Sequence, residues 1–517
     1  MPLHRAAALT TLVALPAAAV DLDMHTRIRA EGFRRSQVME TAAQLTDVLG
    51  PRLTNSPQLK KANEWTRDRF AEWGLDDARL EAWGPFGVGW SLERVSVHMT
   101  APSVQALFAL PRAWSPGTDG VLRGKAVYVK LASEADLEAA KGKLKDRIAL
   151  ISAPAEVKDE TEPALDRYDE QELAKLGEYE IPSAERERPE WRQFVGMREK
   201  VRKFLKAEGA RAALEVGRAS GVLRVQGTGG WKKDAERGVP WLTLMPEQYN
   251  RLVRLVERKL EVELELDLRV RFHEDDLMGY NTLAEIPGSD KKDELVMAGA
   301  HLDSWHGATG ATDNGAGSAV MMEAARILRA LGVKPRRTIR FALWTGEEQT
   351  LGGSTAYVAQ HFAKRGDPED PKEKDLPVEQ QTKPGAYQFL PGYGKLSAYF
   401  NVDSGTGRIR GVYAQENAGA AAALRAWLEP LQDLGASEVS MNPDAGTDTE
   451  PFDEAGLPAF PFAQDRIEYR SRTWHTTLDS YDRLKREDLM QAAVVVATVL
   501  YEASMSESPM PRKPQPK

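Results

Sequence analysis

At three places the chain ends an apolar, strand-like run on a residue that can bind a cation. His301 closes the run Leu295–Ala300, Glu347 and Glu348 follow a run ending at Trp344, and Asp403 follows one ending at Val402. Ligands of open α/β sheets bind beyond the carboxyl ends of strands, so three such ends point at one crevice. Asp313, in the glycine-rich stretch GATGATDNGAG (307–317), and His475, in WHTTLDS (474–480), are of the same chemical kinds. The 517 residues include no cysteine. Disulfides and thiolate metal sites are therefore excluded, and a metal site here must use imidazole and carboxylate. His301, Asp313, Glu348, Asp403 and His475 make five ligands, enough for two zinc ions sharing a bridging carboxylate and a water. Glu347 is then free to act on that water. Adjacent carboxylates at a strand end are costly unless cations neutralise them, which favours an occupied site.

Taken singly, each of these residues has a plainer explanation. A histidine after a strand is usually a polar loop residue, a Glu-Glu pair suits a helix N-terminus, and Asp-Asn-Gly or Asp-Ser-Gly suits a turn. The joint pattern outweighs those readings. His306 is expected to be a loop residue. Rival chemistries lack their signatures: the sequence has no GxSxG elbow, no HExxH helix, no phosphate loop and no dinucleotide fingerprint.

The elements that must position these residues alternate from Asn281 onward. Strands over Leu295–Ala300, Thr338–Trp344 and Leu396–Val402 separate a helix over Gly315–Leu331, and an apolar helix spans Leu489–Met505. Upstream, helices are expected over Ser36–Leu49 and Ser56–Trp73. Between 103 and 270, short β-like runs surround a charged middle that gathers no catalytic residue types, which reads as an inserted, β-rich domain. The expected division is a signal peptide at 1–19, peptidase-sheet residues at 20–102 and 271–505, the insertion at 103–270, and a disordered tail at 506–517. Residues 364–383 are expected to form a mobile loop.

His4 and Arg5, the apolar run Ala6–Ala14 and the small residues Ala17-Ala18-Ala19 have the pattern of an export signal, with mature protein starting near Val20. This implies a secreted or periplasmic protein. No later run reaches the roughly 20 apolar residues of a membrane span. A net charge of -8, with no long basic stripe, argues against nucleic acid as a partner.

The stretches AGAHLDSW (298–305), ATDNGAG (311–317), WTGEEQ (344–349), YFNVDSG (399–405), GTDTEPFDEAGLPAF (446–460) and WHTTLDS (474–480) resemble the M28 family of co-catalytic zinc peptidases in order and spacing. Within it, HLDSW and LWTGEEQ look most like the plasma glutamate carboxypeptidase branch. The resemblance is strong over the C-terminal half, moderate over LTDVLGPRLTNSP (45–57), and loose over the insertion, which looks like a protease-associated domain. It implies an α/β fold of zinc-exopeptidase type: a mixed, largely parallel sheet flanked by helices, with that insertion.

The resemblance also implies roles. His301 and Asp403 would complete one zinc site, Glu348 and His475 the other, and Asp313 would bridge them. Asp303 would orient the His301 imidazole, and Glu347 would be the general base. Apart from the resemblance, Tyr469, upstream of His475, is expected to serve the oxyanion or to pack, and Asp479 to orient His475 or to start a turn. Substrates would be peptides or dipeptides, and the branch also suggests a homodimer. Two other readings belong to the wider superfamily: a single-zinc enzyme that cyclises N-terminal glutamine, and a receptor-like protein that has lost its ligands.

Overall fold

A parallel strand covered on both faces reads as one unbroken apolar run, and Val296 to His301 of the strand Lys291–His301 are all buried. This strand is central to an eight-stranded mixed sheet. Spatial order runs Asp76–Trp83, Gly279–Ile286, Arg337–Trp344, Lys291–His301, Leu396–Asn401, Ala459–Gln464, Ile409–Tyr413, Glu438–Ser440. Lys291–His301 pairs in parallel with both neighbours, and Leu396–Asn401 pairs in parallel with Ala459–Gln464. The antiparallel pairs lie to either side of this core. The computed structural model describes residues 21–157, 165–181, 189–217, 221–374 and 381–516. The expected signal peptide lies outside these residues, as do 375–380 of the expected mobile loop. The loop's flanks pair as a short ribbon, Ala363–Arg365 with Tyr387–Phe389.

Helices cover both faces. On one side Leu22–Arg34, Val38–Ala43, Pro57–Glu72, Ala316–Ala330 and Arg486–Met505 bury Ile28, Phe70, Val320, Ile327 and Val495 against Ala298, Ala300 and Phe341. On the other, Gly352–His361 and Glu450–Glu454 bring Tyr357 and Phe452 onto Trp344 and Tyr399. The helix Pro57–Glu72 starts where its sequence says it should: Ser56 Oγ accepts the Leu59 N–H, and Pro57 fills the first turn, where no N–H is needed. Arg486–Met505 is long and apolar enough to cross a membrane, but 83% of its apolar window is buried inside the protein, so it is a core helix. Gly299 permits the close fit of strand to aromatics, since a Cβ there would stand 2.5 Å from Trp344 Nε1 and 2.8 Å from Tyr399 Oη.

A second eight-stranded sheet is built from residues within Gly89–His273. Its centre, Leu122–Tyr128, Ile148–Leu150, Ala212–Val216 and Trp241–Leu244, is parallel. The helix Pro246–Glu257 packs on one face through Tyr249, Leu252 and Val253, and Pro189–Ala207 packs on the other through Val201 and Leu205. The boundaries expected at 103 and 270 are corrected by this sheet. Gly89–Ala101 pairs along its whole length with Glu263–His273, so the insertion begins and ends on one long antiparallel ribbon. Composition hid this because the two strands mix exposed and buried residues along their length, and the second runs unbroken through 270. An aromatic cluster joins the two sheets: Trp83, Phe86, Trp90, Trp114 and Trp305 are buried together, and Trp114 meets Trp305 edge-on at 6.3 Å.

The tail expected to be disordered is docked as far as Pro516. Met510 is buried, Arg512 donates to the carbonyls of Tyr393 and Leu396, Lys513 pairs with Asp453, and the Asn417 amide donates to the Pro511 carbonyl. Proline-rich backbone has no internal hydrogen bonds to satisfy and leaves its carbonyls open to side-chain donors.

Candidate metal centre

The three strand ends and two loops converge on Asp313. Its Oδ1 lies 3.2 Å from His301 Nε2, and its Oδ2 lies 3.2 Å from His475 Nε2. One carboxylate thus faces two imidazoles that are 174 residues apart in sequence. Asp403 Oδ1 stands 3.0 Å from His301 Nε2, and Glu348 Oε2 stands 2.9 Å from His475 Nε2. Glu347 lies on the His301 side, with Oε2 at 3.9 Å from Nε2. All six side chains are nearly or fully enclosed; Glu347 and Asp403 are the most open, at 10% exposure each.

Among the described residues, two three-residue sets hold ligand atoms close enough for one ion: His301 with Glu347 and Asp403, and His301 with Asp313 and Glu348. Asp313 Oδ2 and Glu348 Oε1 are buried without a hydrogen-bond partner. Buried carboxylate oxygens are rarely left in that state. Imidazole nitrogens and carboxylate oxygens are proper zinc ligands, so the residues present fit the metal.

Electrostatics point the same way. Burial pushes Glu347 well above the usual carboxylate range, and Asp403 and Glu348 add to the effect. Burial, helped by Asp313, raises Glu348 to about 7. Burial opposes charge on the imidazoles, yet Glu348 and Asp313 raise His475 to about 9, and Asp403 and Glu347 lift His301 well above its ordinary value. Asp313, facing both imidazoles, is held well below the ordinary carboxylate range despite its burial. Glutamates pushed towards the protonated form and imidazoles held charged are the response of a buried site with more negative charge than it can solvate. A divalent cation relieves the same imbalance without protons.

Surrounding groups fix these side chains, and two of them differ from expectation. Asp303 was expected to orient His301 through its carboxylate, but Oδ1 is 3.7 Å from Nδ1, too far for a hydrogen bond. The Asp303 backbone carbonyl takes that place at 3.0 Å. The carboxylate instead accepts from the Thr54 hydroxyl (2.9 Å) and faces the N–H groups of Glu347 (3.4 Å) and Glu348 (3.3 Å), holding the start of the glutamate turn. Asp479 does not touch His475. It accepts the N–H groups of Thr312 and Asp313, so it positions the backbone of the bridging residue. A short loop turns it away from the histidine four residues before it. Tyr469 is buried, and burial with Asp313 and Asp403 nearby holds its phenol well above the ordinary value, so it stays a donor. His306 is a loop residue, as expected, with Nε2 at 2.8 Å from the Pro111 carbonyl.

Two residues of this shell carried no sequence signal that was read as functional. Thr447 donates to Asp403 Oδ2 at 2.6 Å and itself accepts from Asn401. Arg52, fully buried, donates to the carbonyls of Leu45, Gly50, Leu302, Thr309 and Gly310. It thereby ties the N-terminal segment to the loops beyond His301 and before Asp313. Burial lowers its guanidinium to about 10, against the pull of Asp479 and Asp303.

Residues 281–500, which carry every expected ligand, match the sequence model of Peptidase family M28. Over these residues the chain is similar to peptidase family M28. This match, together with the relatives and structures it resembles, supports a zinc metallopeptidase. Carboxypeptidase Q of Rattus norvegicus is 25% identical over 493 residues, 93% of this chain and 88% of that protein. Aminopeptidase YwaD of Bacillus subtilis is 30% identical over 224 residues, 43% of this chain and 44% of that one. Among solved structures, a Peptidase M28 precursor from Shewanella amazonensis superposes with a TM-score of 0.66 at 23% identity, covering 96% of this chain and 98% of its own. BSAP, a zinc aminopeptidase from Bacillus subtilis, gives 0.56 at 21%, covering 91% and 95%. These two likenesses bear on the fold, which the chain shares over nearly its whole length.

Arg52 offers a direct check on the shell. Arg52→Met leaves buried carbonyls unsatisfied, at about 1–3 kcal/mol for each that finds no new partner. Metal-free protein should lose at least about 3 kcal/mol of stability, measured by urea unfolding. A loss below about 1 kcal/mol would show that these hydrogen bonds do not hold the loops.

Proposed function

We propose that the chain is an exported exopeptidase with a two-zinc centre, hydrolysing the peptide bond next to a free end of a peptide or dipeptide. The observation that carries this reading is the Asp313 carboxylate between His301 and His475, one oxygen to each imidazole. His301 and Asp403 would hold one ion, His475 and Glu348 the other, and Asp313 both. Bound there, zinc would supply a water acidified to near neutral pH and a Lewis acid for the scissile carbonyl.

The chain's own residues do the rest. Glu347 lies beside the His301 and Asp403 side chains, close enough to share an ion with them; because His301, Asp403 and Asp313 would already supply three ligands, it is assigned as the base instead. Its carboxylate takes the proton of the attacking water and returns it to the leaving amine. Asp303 keeps the two glutamates in register by holding the turn that carries them. Tyr469, kept protonated by its surroundings, donates to the oxygen on which charge develops. Burial of the whole set strengthens each of these interactions. The similarity to carboxypeptidase Q and to bacterial aminopeptidases supports action at a chain end. On the resemblance and export pattern read in the sequence, the proposal extends to a homodimer outside the cytoplasm whose β-rich insertion is a protease-associated-like domain.

The roles of the adjacent glutamates are separable. Glu347→Gln should keep two zinc ions and lose about 10²–10⁴ in kcat on an aminoacyl or dipeptide substrate. Glu348→Gln should bind one zinc more weakly, because an amide is a poor ligand beside a carboxylate. Zinc stoichiometry and kcat measured on both variants decide the matter. Loss of a metal from Glu347→Gln with two retained by Glu348→Gln would reverse the assignment, and full activity in both would refute it.

Export has its own test. N-terminal sequencing of protein recovered outside the cytoplasm should find a start at or near Val20. An intact Met1 there would refute cleavage.

A further inference from the structure

One segment of the inserted domain reaches the metal centre. Leu223–Gln226, between the strands Ala212–Val216 and Trp241–Leu244, runs beside the loop that carries His475. The Thr477 N–H donates to the Leu223 carbonyl at 3.0 Å, and the Val225 N–H donates to the His475 carbonyl at 3.1 Å. Arg224 and Thr476 form an antiparallel bridge, and the Arg224 guanidinium lies 3.8 Å over the Trp474 ring. At the end of this short ribbon, the Gln226 amide stands 3.2 Å from His475 Nδ1. His475 keeps a backbone φ of +59°, a conformation that a residue with a Cβ adopts only where its surroundings impose it.

Nε2 of His475 faces Asp313 and Glu348. That nitrogen is the one offered to a metal, so Nδ1 must carry the proton and needs an acceptor. A half-turn of the Gln226 amide sets Oε1 where Nε2 stands and supplies one. Metal-binding imidazoles nearly always give their second N–H to a fixed acceptor, which orients the ring and raises its basicity. For His301 that acceptor is the Asp303 carbonyl, within the peptidase sheet's own loops. For His475 the nearest carboxylate along the chain, Asp479, is already committed to Thr312 and Asp313.

We infer that Gln226 is the positioning residue for His475, so that the inserted domain completes the metal centre rather than merely covering it. This rests on the two-zinc reading above. Removing the amide leaves the ring free to turn and its Nδ1 proton without a partner. Because the four ligands other than His475 are untouched, the effect falls on one ion of the two.

The test is a competition titration of zinc-loaded full-length protein against a coloured chelator, resolving both dissociation constants. Gln226→Ala should weaken one zinc by about 10–100-fold and leave the other within a few-fold of wild type. Gln226→Glu, whose carboxylate also accepts from Nδ1, should restore the affinity. The melting temperature of metal-free Gln226→Ala should match that of wild type, which separates positioning of the ligand from support of the fold. Wild type with two zinc ions and Gln226→Ala with both affinities unchanged would overturn this inference alone. An equal loss in Gln226→Ala and Gln226→Glu, accompanied by a lower metal-free melting temperature, would assign Gln226 a structural role and also overturn it. Wild type that binds no zinc would overturn the two-zinc reading and this inference with it.

Discussion

Buried negative charge at the carboxyl ends of three strands is the constraint on which the rest of the structure depends. Asp303, Asp313, Glu347, Glu348, Asp403, Asp448 and Asp479 stand close enough for several to raise one another's affinity for protons. An uncompensated buried charge costs several kcal/mol, and a group in that position takes up a proton, pairs or binds a metal. Two imidazoles and the Arg52 guanidinium are too little to balance the set. The folded chain is thus poised to gain stability from divalent cations, which bind the native arrangement and not the unfolded one.

The fold is arranged to hold these groups apart and in register. Each ligand leaves a strand or turn whose neighbours are tied to another ligand's segment. The Ser318 hydroxyl donates to the His301 carbonyl, Asn314 donates to the Val402 carbonyl beside Asp403, and Thr447 donates to Asp403. Arg52 closes the circuit from the N-terminal segment with five carbonyls. Such a shell moves little when its centre changes charge, and a hydrolytic site of this kind works by preorganisation. The second sheet extends the same logic across the aromatic cluster around Trp114 and Trp305.

Three of the proposed ligands, His301, Glu348 and Asp403, stood out in the sequence because they follow periodic apolar runs, whereas Asp313 and His475 were picked by residue type, which alone restricts the chemistry. The strands of the peptidase sheet were legible for the same reason: buried parallel strands leave unbroken runs such as Leu295–Ala300. What escaped detection was long-range and backbone-mediated. Asp303 is two residues from His301, yet its carboxylate serves the glutamate turn 44 residues on. Asp479 is four residues from His475 and serves Asp313 instead. Arg52 and Gln226 are ordinary polar residues in sequence, and only the folded chain brings them to the centre. The tail looked disordered because its composition is polar and proline-rich, whereas its order comes from partners elsewhere on the surface, such as Tyr393 and Asp453.

Anomalous X-ray scattering at the zinc edge, from crystals of the purified protein, tests the central claim most directly. Two peaks should appear about 3.5–4 Å apart, one beside each Asp313 oxygen, with His301 and Asp403 at the first and His475 and Glu348 at the second. A single peak, or two peaks that Asp313 does not join, would contradict the account.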